Sequence, residues 1–401
     1  MRILVVHNLY GSAAPSGENE VFRAEQHLLN EHGHHVETYV RESDEIRDRG
    51  LAGAIKGALA VPWNPWSIRT LRDRVSRFRP DVVHVHNTFP LISPSIFHGL
   101  EGRCARVLTL HNYRLFCAAA IPLRDGRPCT DCLDRRSAWP GLRHGCYRGS
   151  RLATLPLAAG ITLHRAAGTW TSQVDAFIAL TPFQRETMVA AGLPAERVHV
   201  KPNFYPGRPV PIPWHERAPY AVFAGRLTEE KGVATLLEAW NRWGDTAPEL
   251  RIVGDGPLRQ QLQSVVRPGM HVSFLGQLPA ADAQRHIAGA RLLLLPSEWF
   301  EGFPMVLREA FAFGTPAAVS AIGPLPSLVE SGQAGLIFEP ARSDSLLTVV
   351  RTAWNDPATL QALGERARDC FERLYTAAAN HERLMAIYGA ALGCHPTRHG
   401  C

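Results

Sequence analysis

Two glutamates with seven residues between them stand in the segment Ser297-Glu-Trp-Phe-Glu301-Gly-Phe-Pro-Met-Val-Leu-Arg-Glu309-Ala-Phe. Pro304 suits a first helical position, because the N–H that proline lacks would have no partner there. The sequence therefore places Glu301 on a loop beside the free N–H groups of a helix N-terminus, and Glu309 more than one turn inside the helix. One carboxylate at an anion-binding helix end and one along the helix flank suit a ligand that carries both hydroxyls and phosphates.

Two basic residues, Arg226 and Lys231, lie in the segment Phe223-Ala-Gly-Arg-Leu-Thr-Glu-Glu-Lys-Gly, which indicates a strand, a loop and the start of a helix. Cations on such a loop can hold a diphosphate and stabilise it as a leaving group. Solvated surface charge is the alternative for an isolated pair. Of the 43 basic residues in the chain, only Lys56, Lys201 and Lys231 are lysine. Against that background, Lys231 indicates a position that needs a compact point charge, such as a phosphate site.

The order of elements predicts two consecutive α/β domains. Strands are predicted at residues 3–6, 36–40, 82–85, 107–110, 176–180 and 198–200, with a helix over about 18–31. Four prolines within residues 207–219 indicate a linker. A second series begins at Tyr220, with strands near residues 251, 272, 292, 317 and 335. Ligands of open α/β sheets bind at the carboxyl ends of the strands, so we expect the functional residues there.

Three blocks in this order resemble the signature of glycosyltransferase family 4. They are the block from Phe223 to Gly232, the segment Arg251-Ile-Val-Gly-Asp-Gly-Pro, and the block around Glu301 and Glu309 with its flanking strand and Gly-Thr-Pro. The resemblance covers nearly the whole chain. It implies the α/β fold called GT-B, in which two Rossmann-like domains face a central cleft. The implied divisions are an acceptor-binding domain over 1–206, a Pro-rich linker over 207–219, a nucleotide-sugar-binding domain over 220–374, and a C-terminal helix within 375–401 that crosses back to the first domain.

The resemblance implies a retaining glycosyltransferase that moves a hexose from a nucleoside-diphosphate sugar, in our interpretation a UDP-sugar. The acceptor would be a glycan, a lipid-linked sugar or a natural product, and catalysis would need no metal or other cofactor. A sugar-nucleotide epimerase or a phosphorylase of the same fold and a non-catalytic nucleotide-sugar-binding protein are the alternatives. The Glu301–Glu309 spacing argues against the epimerase, and the absence of a pyridoxal-binding lysine context argues against the phosphorylase. The intact set of Arg226, Lys231 and the two glutamates argues against a binder.

Site residues follow from the resemblance position by position. Arg226 and Lys231 would bind the donor diphosphate, Glu309 the ribose hydroxyls, and Glu301 the donor sugar. His111, which ends the strand 107–110, would lie near the sugar and the acceptor, as a general base or as a hydrogen-bond partner that orients the sugar. Further donor contacts are assigned to Gly17, Gly254, Gly256, Gln277, Leu278, Gly302, Phe303, Met305 and Val306. At Gly17 only one glycine remains of the pair that relatives carry.

His84 and His86 end another predicted strand, in the run Val82-Val-His-Val-His-Asn. We expect one of these histidines to face the core and the other to face the cleft. An isolated pair of this kind is more often structural than catalytic, so neither is assigned to the site.

Cys117, Cys129, Cys132 and Cys146 fall in an insertion over about residues 115–150. A C-x2-C pair with one cysteine on either side can furnish a tetrahedral thiolate site for a structural zinc ion. Such a metal would hold together a loop with little apolar content. Four reduced thiols or a redox pair are the alternatives. The first residues already resemble a core strand rather than a signal peptide, which predicts a cytoplasmic protein with reduced cysteines.

The composition narrows the choice of partners. The net charge is +6, but the basic residues are scattered among 37 acids, so we expect no nucleic-acid partner. The segment 124–165 carries eight Arg against three Asp, with Trp139 and apolar residues over 155–163 nearby. It predicts peripheral contact with an anionic membrane, at the inner face of the cell membrane. The alternative, favoured by the general bias toward Arg, is a core helix with solvated arginines. The sequence indicates neither the donor sugar nor the acceptor nor the oligomeric state.

Overall fold

The computed structural model describes residues 1–11, 16–48, 50–100, 102, 104–330 and 333–393. The chain divides into two compact units, and each contains a parallel sheet covered by helices. The first unit comprises Met1–Pro122, Cys129–Pro202 and the C-terminal part of the chain from Asn380, and the second comprises Leu123–Pro128 and Asn203–Ala379.

The elements follow in alternating α/β order. The strands are β1 (Arg2–Leu9), β2 (His35–Glu42), β3 (Val82–Val85), β4 (Ala105–Leu110), β5 (Leu123–Arg124), β6 (Arg127–Pro128), β7 (Ala176–Ala179), β8 (Val198–Val200), β9 (Tyr220–Ala224), β10 (Glu249–Val253), β11 (Val272–Gly276), β12 (Leu292–Leu295), β13 (Ala317–Ser320) and β14 (Gly335–Phe338). The α-helices are α1 (Gly17–Glu31), α2 (Asp44–Arg47), α3 (Gly50–Ala60), α4 (Pro65–Phe78), α5 (Asp131–Asp134), α6 (Trp139–His144), α7 (Arg151–Ala166), α8 (Thr169–Ser172), α9 (Pro182–Ala190), α10 (Val233–Trp243), α11 (Arg259–Ser264), α12 (Ala280–Ala288), α13 (Met305–Ala312), α14 (Leu325–Glu330), α15 (Ser343–Trp354), α16 (Pro357–Leu374) and α17 (Ala377–Gly393). The predicted α/β architecture is confirmed, and the predicted strands and first helix are present, although β1 and β2 are longer than expected.

The sheet of the first unit has the strand order β2-β1-β3-β4-β7-β8, and all of its pairs are parallel. Alternate residues of these strands, such as Ile3 and Val107, pack against Phe22 of α1 and against Leu384 and Tyr388 of α17. Successive side chains of a strand point to opposite faces, so α1 and α17 together cover one face of the sheet. The C-terminal helix therefore packs on the first unit, as the sequence predicted.

The sheet of the second unit has the order β11-β10-β9-β12-β13-β14, again with parallel pairs. The order reverses between β9 and β12, which is the topological switch point of a doubly wound sheet. Buried residues of both strands, including Phe223 and Leu294, belong to the core of this unit. The loops that follow β9 and β12 therefore start from the same edge of a rigid sheet.

None of the helices within the described residues is both long enough and apolar enough to span a membrane.

Candidate active site

The switch point of the second unit brings Lys231 to Glu301. Lys231 lies on the loop after β9, and its Nζ donates a hydrogen bond to Glu301 Oε1 at 2.7 Å. The same oxygen accepts hydrogen bonds from Ser297 Oγ at 2.7 Å and from Trp299 Nε1 at 3.0 Å. Glu301 is only 5% exposed. Three donors on one buried carboxylate oxygen fix this side chain, and the carboxylate in turn fixes the Lys231 ammonium.

Lys231 also lies near an aromatic ring, with its Nζ 5.3 Å from the centroid of Trp299. That distance is within the range of a cation–π interaction. The Lys231 side chain keeps 20% of its surface exposed. The ammonium is therefore held in place and still open to a ligand, which is the arrangement expected of an anion-binding point charge.

Arg226 is less constrained. Its side chain is 68% exposed, and its Nη2 lies 3.5 Å from Glu230 Oε1. The sequence assigned both Arg226 and Lys231 to the diphosphate, but only Lys231 is fixed beside Glu301 by the described contacts.

Glycines let the loops of this edge approach one another closely. Gly232 has φ +66°, and a Cβ there would lie 1.9 Å from the carbonyl oxygen of Pro296. Gly254 has φ +129°, and a Cβ there would lie 1.9 Å from the carbonyl oxygen of Gly225. Neither the backbone angle nor the space admits a larger residue. Gly254, predicted as a donor contact, thus has a packing role of its own.

Helix α13 begins at Met305, so Pro304 is its N-cap residue and not its first helical residue as the sequence suggested. The difference is one position, and the φ of −70° at Pro304 is the value that its ring imposes. Glu301 lies on the loop before α13 and Glu309 lies within it, as expected. Glu309 is half-buried, with Oε1 3.5 Å from Gln284 Nε2 and 3.6 Å from Arg308 Nη2.

The other predicted donor contacts of the second unit lie on the loops at the carboxyl ends of its strands or at the start of α13. Gln277 and Leu278 follow β11, the edge strand of the sheet, and are therefore two strands away from β9. At or just before the start of α13, Gly302, Met305 and Val306 are half-buried and Phe303 is buried.

The first unit contains a cavity beside His111 that opens to solvent. Its lining is largely apolar and aromatic, and its polar members include His111, Asn112 and Arg114. His111 directly follows β4, as the sequence predicted. Burial lowers the pKa of His111 well below its ordinary value, and the neighbouring His86 lowers it further. His111 is therefore a neutral imidazole at neutral pH.

His84 and His86 are both buried, so the prediction that they face opposite ways is wrong, although His86 also lines the cavity beside His111 and His84 does not. His84 lies on β3 and His86 directly follows it, and side chains two residues apart along an extended chain point to the same face of a sheet. Both are buried, with 0% and 3% exposure, on the face that α1 and α17 cover. Sequence reasoning also missed Glu25, a buried acid on α1 that lies 3.1 Å from His84 Nδ1 and 3.2 Å from His86 Nε2.

Gly17 is the first residue of α1, and Ser16 is the N-cap residue. Residues 12–15 of the loop before it lie outside the described residues, so the predicted donor contact at Gly17 stays a prediction.

The four cysteines of the insertion form no disulfide within the described residues. Burial raises the pKa of Cys117 to about 12, and the next largest cause is the electrostatic effect of Cys132. Burial also raises the pKa of Cys132, and the electrostatic effects of Cys146 and Cys129 raise it further. Of the described residues, the group with three metal-ligating atoms within 4.8 Å of one another is Glu25, His84 and His86, and no three of the cysteines meet that limit. The zinc site therefore stays a prediction.

Comparison with known families accounts for most of the chain. The family described as "Glycosyltransferase Family 4" matches residues 21–206, and the one described as "Glycosyl transferases group 1" matches residues 209–369. The chain belongs to these glycosyltransferases.

Curated relatives are distant. The chain is 24% identical to the sulfoquinovosyl transferase of Arabidopsis thaliana over 79% of its own length and 58% of that protein. It is 34% identical to a glycogen synthase of Mycobacterium tuberculosis over 38% of its own length and 37% of that protein. It is 27% identical to the α-D-kanosaminyltransferase of Streptomyces kanamyceticus over 42% of its own length and 45% of that protein. The chain thus spans less than two thirds of the length of these relatives.

Two solved structures share the fold over their whole length. HepE of Anabaena in complex with UDP superimposes with a TM-score of 0.65 at 17% identity, covering 97% of this chain and all of that one. WaaG, described as a glycosyltransferase involved in lipopolysaccharide biosynthesis, gives a TM-score of 0.61 at 18% identity, covering 96% and 100%. The fold is therefore that of the GT-B glycosyltransferases.

Proposed function

We propose that the protein is a retaining glycosyltransferase that uses a UDP-sugar as donor. The observation that carries the proposal is the pair formed by Lys231 and Glu301 at the switch point of the second unit. A cation that is fixed and still accessible at this place suits a diphosphate, and the adjoining carboxylate suits sugar hydroxyls. HepE, which shares the fold, has been solved with UDP and with UDP-glucose.

The hydrogen bonds suggest how the two side chains divide the donor. An ammonium group has three N–H donors, and Lys231 directs one of them to Glu301. The remaining N–H groups are assigned to the diphosphate, where they stabilise the charge that develops as the glycosidic bond breaks. On Glu301, Oε1 takes all three hydrogen bonds described above, so Oε2 is assigned to a hydroxyl of the donor sugar. Glu309, on the flank of α13, is assigned to the ribose.

The cavity beside His111 supports an acceptor with an apolar part, such as a lipid-linked sugar. Its lining combines apolar walls with several polar side chains, as amphipathic ligands require. Helix α7, which contributes to the lining, also carries Leu152, Leu155 and Leu163 with 84%, 49% and 41% exposure. Trp139 is 67% exposed. Exposed leucines and a tryptophan in an Arg-rich segment suit the surface of an anionic membrane, so we extend the proposal to peripheral membrane contact.

The donor proposal is tested by calorimetry with UDP, GDP, ADP and UDP-glucose, followed by an assay of UDP release. UDP at a hundred times its dissociation constant should stabilise the fold by about 2.7 kcal/mol. We expect binding of uridine nucleotides and acceptor-dependent release of UDP. An altered sugar without UDP release would favour an epimerase, and binding without turnover on any acceptor would favour a non-catalytic protein. Failure of every nucleotide to bind would refute the donor site.

The membrane proposal is tested by sedimentation with vesicles containing phosphatidylglycerol. We expect the wild type to sediment with these vesicles and the variant Leu152→Asp to do so much less. Val210→Asp, a change at another exposed apolar residue in the second unit, serves as the control. If the wild type stays in the supernatant, the membrane contact is excluded.

A further inference from the structure

Three neighbouring strands of the first unit change from apolar to polar along the face that α1 and α17 cover. On this face, β1 carries Val5 and then His7. Strand β3 carries Val82 and His84 and is followed by His86. Strand β4 carries Val107 and Thr109 and is followed by His111. The polar groups therefore gather at the carboxyl edge of the sheet, next to the cavity that His111 lines.

Glu25 on α1 lies at the centre of this polar cluster and is 1% exposed. Its Oε2 accepts a hydrogen bond from Lys201 Nζ at 2.7 Å. Its Oε1 lies 3.1 Å from His84 Nδ1 and 3.2 Å from His86 Nε2. Burial alone would raise the pKa of Glu25, but Lys201 and then His84 outweigh it and hold the pKa well below its ordinary value. Glu25 is therefore an ionised carboxylate, which can only accept hydrogen bonds.

His86 connects Glu25 to His111. Its Nε2 faces Glu25, and its Nδ1 lies 3.0 Å from His111 Nε2. Burial lowers the pKa of His86 to about 4, and the next largest cause is the electrostatic effect of His84. The ring is therefore neutral and carries a single N–H. Glu25 Oε1 and His86 Nε2 do not meet hydrogen-bond geometry, but attraction to the ionised carboxylate 3.2 Å away favours the N–H of His86 at Nε2 and its lone pair at Nδ1. That lone pair must accept from an N–H at His111 Nε2.

His111 is also a neutral imidazole, so an N–H at its Nε2 leaves a lone pair at its Nδ1. We propose that Glu25, acting through His86, fixes the tautomer of His111 so that Nδ1 meets the substrates as a hydrogen-bond acceptor. Glu25 and His86 are then positioning residues, and Lys201 is the counter-ion that keeps Glu25 charged. The inference rests on the proposed function for the statement that substrates reach His111.

The tautomer gives His111 a defined chemical role. With a lone pair at Nδ1, His111 can accept the hydroxyl proton of an incoming acceptor or a hydroxyl of the donor sugar, and it cannot donate to a substrate oxygen through that atom. Sequence reasoning left a general base and an orienting partner both open, and both now require the same accepting nitrogen.

Nuclear magnetic resonance of the histidine side chains tests the proposal directly. The full chain is labelled with ¹⁵N-histidine, and the His111 signals are assigned from their loss in His111→Gln. We expect Nε2 of His111 in the wild type to have the chemical shift of a protonated nitrogen and Nδ1 that of an unprotonated one. The opposite pattern in the wild type would overturn the proposal without any further variant.

His86→Phe keeps a ring of similar shape, which in the wild type lies 5.2 Å from the His111 ring, but removes both nitrogens. We expect the two nitrogens of His111 to move toward averaged shifts, because either tautomer is then allowed. Thr109→Val is the matched control, since it removes the partner of His84 Nε2 at 2.8 Å in the same buried cluster. The control should leave the His111 signals unchanged. Equal changes in both variants would indicate general loosening of the cluster and refute the relay.

Calorimetry with UDP on the same samples separates the two proposals. UDP binding is assigned to the second unit, so His86→Phe should retain it. If the wild type has the expected tautomer and does not bind UDP, the proposed function fails and the relay stands. If UDP binds and the tautomer is the opposite one, only the relay fails.

Discussion

Lys231→Met gives the sharpest test of the donor site. The substitution keeps the length of the side chain and removes a charge whose nitrogen lies 2.7 Å from Glu301 Oε1. Removal of one preorganised group that stabilises developing charge typically costs about 2.7–4 kcal/mol in the transition state, or about 10²–10³ in turnover. Lys231 is held in place before any ligand arrives, so we expect the full effect. Affinity for UDP should fall less, because the leaving charge is greatest in the transition state.

The stability of the variant should change less than its turnover. Glu301 loses one of three donors and keeps Ser297 and Trp299, so it is not left as an uncompensated buried charge. We expect the free energy of unfolding to fall by about 1–3 kcal/mol, which is the usual cost of one lost partner. Urea unfolding measures this change, and circular dichroism confirms that the variant is folded before kinetics are compared.

The assay is the initial rate of UDP release at saturating UDP-sugar, with the acceptor that gives the highest wild-type rate. Arg285→Met is the matched control, because it removes a basic charge from the same unit at a side chain that is 80% exposed. The control should keep its turnover within about threefold, since an exposed charge contributes about 1 kcal/mol at most. Wild-type turnover in Lys231→Met would show that this ammonium does not meet the diphosphate, and the assignment would be withdrawn.

Three further substitutions test other parts of the structure. Lys201→Met should lower the free energy of unfolding by about 3–5 kcal/mol, because it leaves Glu25 charged and buried without its partner. Burial then raises the pKa of Glu25, so the deficit should be larger at pH 8 than at pH 5 in urea unfolding, and a constant deficit would contradict this reasoning. Glu309→Gln should weaken UDP binding about tenfold, or about 1.4 kcal/mol, in calorimetry; unchanged affinity would remove Glu309 from the ribose site. Elemental analysis should find one zinc ion per chain in protein purified without chelators and none in Cys132→Ala, and a zinc-free wild type would exclude the metal.

The fold was predictable because its signals are local. Short apolar runs, each followed by a turn and a helical segment, identify parallel strands one at a time. Lys231 and Glu301 were predictable because each follows such a run within one recognisable segment. Their contact follows from strand order, since β9 and β12 are neighbours at the switch point.

The contacts that the sequence did not reveal join residues that are far apart in the chain. Lys201 and Glu25 are 176 positions apart, and His84 and Tyr388 are 304 positions apart. No local pattern connects such pairs. One signal was available: Lys201 is one of only three lysines in the chain, and the argument that singled out Lys231 applies equally to it. The period of two residues along β3 would also have placed His84 and His86 on one face.

Both units pair a rare lysine with a glutamate beside the carboxyl edge of a sheet, but the difference in burial separates their roles. Lys231 keeps 20% of its side chain exposed, so N–H groups remain for a ligand. Lys201 is 1% exposed and directs hydrogen bonds to Glu25 and Asn380. A cation that no ligand can reach acts only through its neighbours. Its effect on a substrate must therefore pass through the state of Glu25, and from Glu25 through His86 to His111. Both of these imidazoles line the cavity.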